Sequence, residues 1–151
     1  MKYYLAYGSN LNRAQMFVRC PGAKPVGTAV INGYKLLFKG SQSGSYLPIE
    51  KDPKGKVPVA VWAINRDHEK ALDLYEGYPT FYYKKNMRVT LDSGEDLDAF
   101  VYIMHEDRKV GVPSMRYMQV CTDGYRSFGF DKKYLQRALD RSRKECSKWE
   151  L

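Results

Sequence analysis

The order of apolar patterns along the 151-residue chain predicts an α+β fold built on a mixed sheet, open or closed. Three observations carry that expectation. A short apolar run at Tyr3 to Ala6 passes at once into a helical pattern. Several strand-like runs then follow one another before the next helical stretch. After one more pair of strands, the last third of the chain is helical in pattern. Strands and helices do not alternate regularly, which argues against a doubly wound sheet.

Taken in order, Tyr3 to Ala6 is apolar and aromatic and suits a buried strand. Gly8-Ser9-Asn10 ends that character, since glycine opens turn conformations and Ser and Asn favour turns and helix caps. From Leu11, a helical pattern sets Leu11, Ala14, Met16 and Val18 among polar residues. A strand running through a tight turn into a helix start leaves several backbone N–H groups unpaired and pointing one way. Such a cluster is a candidate site for an anion, and a substrate carboxylate fits it. Cys20-Pro21-Gly22 marks a turn. Pro25 to Phe38 are largely β-formers, with Asn32-Gly33 predicting a hairpin turn between two apolar runs. Gly40 to Ser45 reads as a polar loop, a candidate flap over a site. Tyr46 to Ile49 suggests a short strand, and Asp52 to Lys56 a second turn.

Val57, Val59, Val61 and Ala63 alternate with Pro58, Ala60, Trp62 and Ile64, so both faces are apolar and the strand should be central. Asn65 or Asp67 is placed to cap a helix carrying His68, Leu72 and Tyr75 on one face, with Gly77 ending it in a left-handed conformation. Along Tyr82 to Leu91, Tyr83, Lys85, Met87, Val89 and Leu91 share one face, while Tyr82, Lys84, Asn86, Arg88 and Thr90 share the other. The polar face is expected outside, so Tyr83 is expected to point inward. Ser93-Gly94 turns the chain into an apolar strand at Leu97 to Met104. A helix follows Pro113-Ser114, with Met115, Met118 and Cys121 at helical spacing. Gly124 to Gly129 breaks that pattern, and Asp131 caps a last helix with Leu135, Ala138 and Leu139 as its stripe.

Length points to one domain spanning residues 1–151 and burying roughly two-thirds of its unfolded surface. No apolar run approaches the ~20 residues that span a bilayer. The N-terminus lacks a signal-peptide pattern, so a cytoplasmic location is expected, with no membrane partner. Cys20, Cys121 and Cys146 show no C-x-x-C spacing, and the histidines are His68 and His105. A disulfide framework is not expected, and the chemistry is expected to run without a metal or other cofactor. The net charge of +8 raises the question of nucleic acid. Much of it lies at about 131–151, in Lys132, Lys133, Arg137, Arg141, Arg143, Lys144 and Lys148. That segment reads as a solvated helix face, and the aromatic residues, mostly tyrosine, form no base-stacking motif.

Glu76 is the sharpest chemical candidate outside the first turn. It falls at the predicted C-terminal end of a helix, where the partly negative carbonyls disfavour a carboxylate. Tyrosines at 75, 78, 82 and 83 add desolvating bulk. A glutamate moved from ~4.3 toward ~6–7 can take and return protons near neutrality.

Two strings carry a family resemblance. Tyr4-Leu5-Ala6-Tyr7-Gly8-Ser9-Asn10-Leu11 resembles the opening of the gamma-glutamylcyclotransferase family, and Leu72-Asp73-Leu74-Tyr75-Glu76-Gly77 followed by Tyr83 resembles its second signature. Val59 to Ile64, Val101 to Met104 and Pro113 to Tyr117 resemble neighbouring elements, so the likeness covers about Tyr3 to Leu139 in matching order. The resemblance implies a small mixed β-barrel with flanking helices (an AIG2-like fold), one active-site glutamate and no metal. It implies Glu76 as the proton-transferring group. It implies that Tyr4, Leu5, Ala6, Tyr7, Gly8 and Ser9, with Asn10 beside them, hold a substrate α-carboxylate through backbone N–H groups. Tyr83, Tyr102 and Tyr117 match pocket tyrosines. The substrate implied is a γ-glutamyl amide, cyclised to 5-oxoproline with release of an amine, and the resemblance leaves room for a homodimer. Ser9-Asn10 resembles the branch acting on γ-glutamyl amino acids, whereas relatives acting on γ-glutamylamines carry Thr-Leu there. A non-catalytic binding module on the same fold would be marked by loss of the glutamate, and Glu76 is present.

Overall fold

The computed structural model describes residues 1–41 and 44–147. The first strand, β1 (Lys2–Ala6), is at the centre of the main sheet. It runs antiparallel to β5 (Ile49–Ile64), with Leu5 opposite Val61, and parallel to β7 (Asp96–Met104), with Tyr4 opposite Phe100. β2 (Lys24–Leu36) and β6 (Tyr82–Thr90) complete the order β2-β5-β1-β7-β6. Leu5, Ala6, Val59, Val61 and Val101 are fully buried, so the interior strands have no solvent face, as their unbroken apolar runs require.

β2 and β6 share no ladder among the described residues. They approach at one end, where the Asp92 N–H donates to the Thr28 carbonyl at 2.8 Å, and again where Lys85 Nζ donates to the Tyr34 hydroxyl at 3.0 Å. The sheet is mixed, as expected, but a closed barrel is not found as a continuous ladder among those residues. A second small sheet, in the order β4-β3-β8, joins β3 (Lys39–Ser41), β4 (Gly44–Tyr46) and β8 (Lys109–Val110). The expected loop at Gly40 to Ser45 is therefore largely strand, with Gly40 opposite Ser45. Its Gln42 and Ser43 lie outside the described residues.

Asn32-Gly33 does not turn the chain back. β2 continues through it, with Asn32 opposite Lys56 and Tyr34 opposite Lys51. Gly33, at φ +81°, takes up an irregularity there, and residues 52–55 bulge from β5 at the same level. The two turn signals were real but face each other inside one strand pair.

Among the described residues, four α-helices flank the sheets. A single 3-10 turn at Ser9–Leu11 precedes α1 (Arg13–Arg19), whose cap Asn12 accepts from the Gln15 N–H at 3.1 Å. Leu11 and Met16 are buried, but Val18 is exposed, because so short a helix buries only one narrow stripe. α2 (Arg66–Glu76) starts on a reciprocal capping box between Asn65 and His68 and stops at Gly77, φ +65°. α3 (Met115–Phe128) begins at the Ser114 cap and runs straight through Gly124, where a break was expected. A Cβ at Gly124 would lie 2.7 Å from Leu11 Cβ, so this glycine permits contact with the 3-10 turn and does not end the helix. α4 (Lys133–Ser147) buries Leu135, Ala138, Leu139 and Ser142, and Ser142 Oγ accepts from the Phe38 N–H at 2.8 Å. Lys132, Lys133, Arg137, Arg143 and Lys144 are exposed. Arg141 is half-buried and donates to the Leu36 carbonyl at 2.9 Å, while Lys148 lies outside the described residues. No helix among the described residues is long and apolar enough to cross a membrane.

Candidate active site

A cavity of about 320 Å³ opens where the 3-10 turn, the end of α2, β7 and the start of α3 converge. Its size suits a small organic ligand. The turn contributes Tyr7, Gly8, Ser9 and Asn10, and α2 contributes Tyr75 and Glu76. Tyr4, Tyr102 and Tyr117 enter from β1, β7 and α3, so residues distant in sequence face one space.

Glu76 is the last residue of α2, at the partly negative end of the helix. Desolvation pushes its carboxyl up to about 7, and the Arg19 guanidinium draws it partly back. The residue as a whole is half-buried, yet the carboxyl lies among phenol rings that exclude water from it.

The turn is braced by side chains. Asn10 is buried, donates from Nδ2 to the Tyr4 hydroxyl at 2.9 Å, and accepts at Oδ1 from Arg19. Arg19 also donates to Gln15 and lies over the Tyr75 ring. Ser9 Oγ and the Tyr75 hydroxyl share a hydrogen bond at 3.2 Å. A Cβ on Gly8 would come within 3.2 Å of the Tyr117 hydroxyl, so the bare backbone lets that phenol lie against the turn.

The Tyr102 hydroxyl donates to Asp73 Oδ1 at 2.6 Å, and Asp73 is ion-paired to Lys84 at 2.7 Å. Tyr117 accepts from the Leu47 N–H at 3.2 Å. Tyr7 donates to the Tyr102 carbonyl at 2.6 Å. Burial first, and the charge of Glu76 among the lesser causes, raise Tyr4, Tyr7, Tyr102 and Tyr117 well above the ordinary phenol, so all four stay protonated at neutral pH.

Three expected residues lie elsewhere. Leu5 and Ala6 are fully buried in β1 opposite Val61 and Ala60 and do not line the cavity. Tyr83 also stands outside it, donating to the Glu106 carboxylate at 2.9 Å; desolvation and that carboxylate push it up to about 12. Its neighbour Tyr82 takes the place in the wall, buried and donating to the Leu47 carbonyl at 2.9 Å. Parity along β6 misled because the polar face is covered too. Lys84 on that face meets Glu69 and Asp73 of α2, each at 2.7 Å, and so looked solvent-bound when it is an ion-pair partner. Arg19 carried no signal beyond its place at the end of a short helix. Its partners Asn10, Gln15 and Tyr75 meet it only in the folded chain.

The cavity joins phenol walls, one desolvated carboxyl and a backbone turn, an arrangement in which a proton can be taken up and returned near neutrality. The profile described as gamma-glutamyl cyclotransferase, AIG2-like, matches residues 4–119, and the chain belongs to that family. It is similar to human gamma-glutamylcyclotransferase, 27% identical over 142 residues covering 89% of this chain and 75% of the human one. The bovine gamma-glutamylcyclotransferase is 28% identical over the same shares. Among solved structures, a gamma-glutamyl cyclotransferase superposes with a TM-score of 0.81 at 26% identity, covering 91% of this chain and 85% of the other.

Proposed function

We propose that the protein is a gamma-glutamylcyclotransferase-type enzyme. It converts a γ-glutamyl amide into 5-oxoproline and a free amine or amino acid, with Glu76 as the proton carrier. The observation that carries this reading is a carboxyl pushed up to about 7 in the same cavity as the Gly8-Ser9-Asn10 turn. At that value it can both accept and donate a proton near neutrality.

In this mechanism the turn holds the α-carboxylate of the substrate through N–H groups that a 3-10 turn leaves free at its start. Glu76 takes one proton from the α-ammonium, and the nitrogen lone pair attacks the γ-carbonyl carbon to form the lactam C–N bond. The tetrahedral intermediate collapses as the old amide C–N bond breaks. In all, two protons pass from the attacking nitrogen to the departing one, and Glu76 relays them in turn. Nucleophile and carbonyl belong to one molecule, so holding the folded conformer supplies much of the acceleration, roughly 7–11 kcal/mol in well-oriented cases. Family membership and likeness to the human enzyme support the substrate class.

The test incubates the protein with a panel of γ-glutamyl dipeptides and γ-glutamylamines and measures 5-oxoproline, beside Glu76→Gln. Glu76→Gln should stay folded and lose turnover, since an amide cannot relay the proton. Turnover retained in that variant would remove Glu76 from the mechanism.

A further inference from the structure

The hydroxyls of the cavity are not interchangeable, because the protons of three of its phenols are already committed. Tyr7 donates to the Tyr102 carbonyl at 2.6 Å, Tyr82 to the Leu47 carbonyl at 2.9 Å, and Tyr102 to Asp73 at 2.6 Å. A phenol has one proton, and neither a carbonyl nor the Lys84-paired carboxylate can donate one back. These three oxygens therefore offer a ligand only lone pairs. Tyr4 has the opposite polarity: it accepts from Asn10 Nδ2 and keeps a proton to give. Tyr117 accepts from the Leu47 N–H and is hydrogen-bonded to Cys121 as well. Among the described residues lining the cavity, Glu76 is the one charged group, and Tyr7, Tyr82 and Tyr102 share that cavity with it.

The geometry points to an acceptor cradle for a primary ammonium, formed by Tyr7, Tyr82 and Tyr102 together with Glu76. Tyr7 and Tyr82 act in it as specificity residues that count the N–H bonds a ligand can donate. This inference rests on the γ-glutamyl reading above, because the group it assigns to the cradle is the α-ammonium of that substrate. Ring faces alone would attract any cation, a quaternary ammonium included. Lone pairs fixed by committed protons would not, since a quaternary nitrogen has no N–H to offer. The cradle would also keep the ammonium beside Glu76 until its proton is taken.

The test is an NMR titration of the protein with L-glutamine and its α-N-methyl, dimethyl and trimethyl derivatives, with 5-oxoproline followed in parallel. Affinity should fall at each methylation and by about tenfold or more across the series, as hydrogen bonds to a charged group are lost. Tyr82→Phe and Tyr7→Phe, checked for folding by thermal midpoint, should each shrink the primary-to-trimethyl ratio by about threefold or more. A flat series in the wild-type protein overturns the cradle, and so does an unchanged ratio in both folded Phe variants. Discrimination without 5-oxoproline from any γ-glutamyl substrate retains the cradle and removes the catalytic reading. Formation of 5-oxoproline with a flat series does the reverse.

Discussion

The Arg19 guanidinium lies 3.5 Å from the centroid of the Tyr75 ring and ties α1 to the last turn of α2. Since Arg19 also donates to Asn10, one cation braces the backbone turn on one side and the residue preceding Glu76 on the other. Its charge lowers the Glu76 carboxyl against desolvation.

The pH dependence of turnover should report this arrangement. Only the carboxylate form of Glu76 can take a proton, so kcat/KM should fall on the acid side with a midpoint near the value of about 7. Arg19→Met removes the cation, and the midpoint should move to higher pH. Arg19→Lys keeps the charge but loses the planar stack and fork, so the midpoint should hold while kcat/KM drops. A midpoint unmoved in Arg19→Met would mean that Arg19 does not act on Glu76.

Stability should carry the same group's signature with a definite sign. Glu76 binds its proton more tightly in the folded chain than in the unfolded one, where its value is ~4.3. Between ~4.3 and about 7 the folded state holds the extra proton, so wild-type stability should decline as pH rises through that window. Glu76→Gln should flatten the decline and be more stable than wild type at pH 8, by on the order of 1–3 kcal/mol. Urea melts of both proteins across that range measure the difference.

An opposite slope is expected from the pairs beneath β6. Burial works against the Glu69 carboxyl, but bonds from Lys84 and Lys2 outweigh it and hold the carboxyl below its ordinary range. Their contribution is present above the unfolded value and is lost as pH falls through the folded one. Lys84→Met leaves Glu69 and Asp73 without their shared cation and should cost about 1–3 kcal/mol at pH 7. The deficit should narrow toward pH 3, and thermal melts at the two pH values decide it.

Gly124→Ala should destabilise the protein by about 1–3 kcal/mol, since its Cβ would press on the backbone and side chain of Leu11. Because Leu11 closes the 3-10 turn, activity should fall more than stability alone explains. The comparison is kcat/KM measured well below the melting temperature.

Much of this site was legible because its parts are local. A strand, a Gly-Ser-Asn turn and a helix ending in Glu-Gly each declare themselves within a dozen residues, and all three occur as expected. What sequence did not reveal depends on distant partners. Tyr82 and Tyr83 exchanged roles because α2 covers the face of β6 that carries lysine. Asn32-Gly33 signalled a turn, but the pairing of Asn32 with Lys56 absorbed it as an irregularity. Gly124 read as a helix breaker because nothing near it in sequence names Leu11 as the reason for its missing side chain.

The position of β1 also bears on how the chain assembles. Its two edges wait for β5 and β7, both later in the chain, so β1 is enclosed well after it is made: one flank stays open until Phe100 has been synthesised. At roughly 5–20 residues per second that interval lasts a few seconds after Val61 appears. A nascent chain halted before β7 would therefore expose a bare apolar edge beside Leu5, an invitation to chaperones or to aggregation.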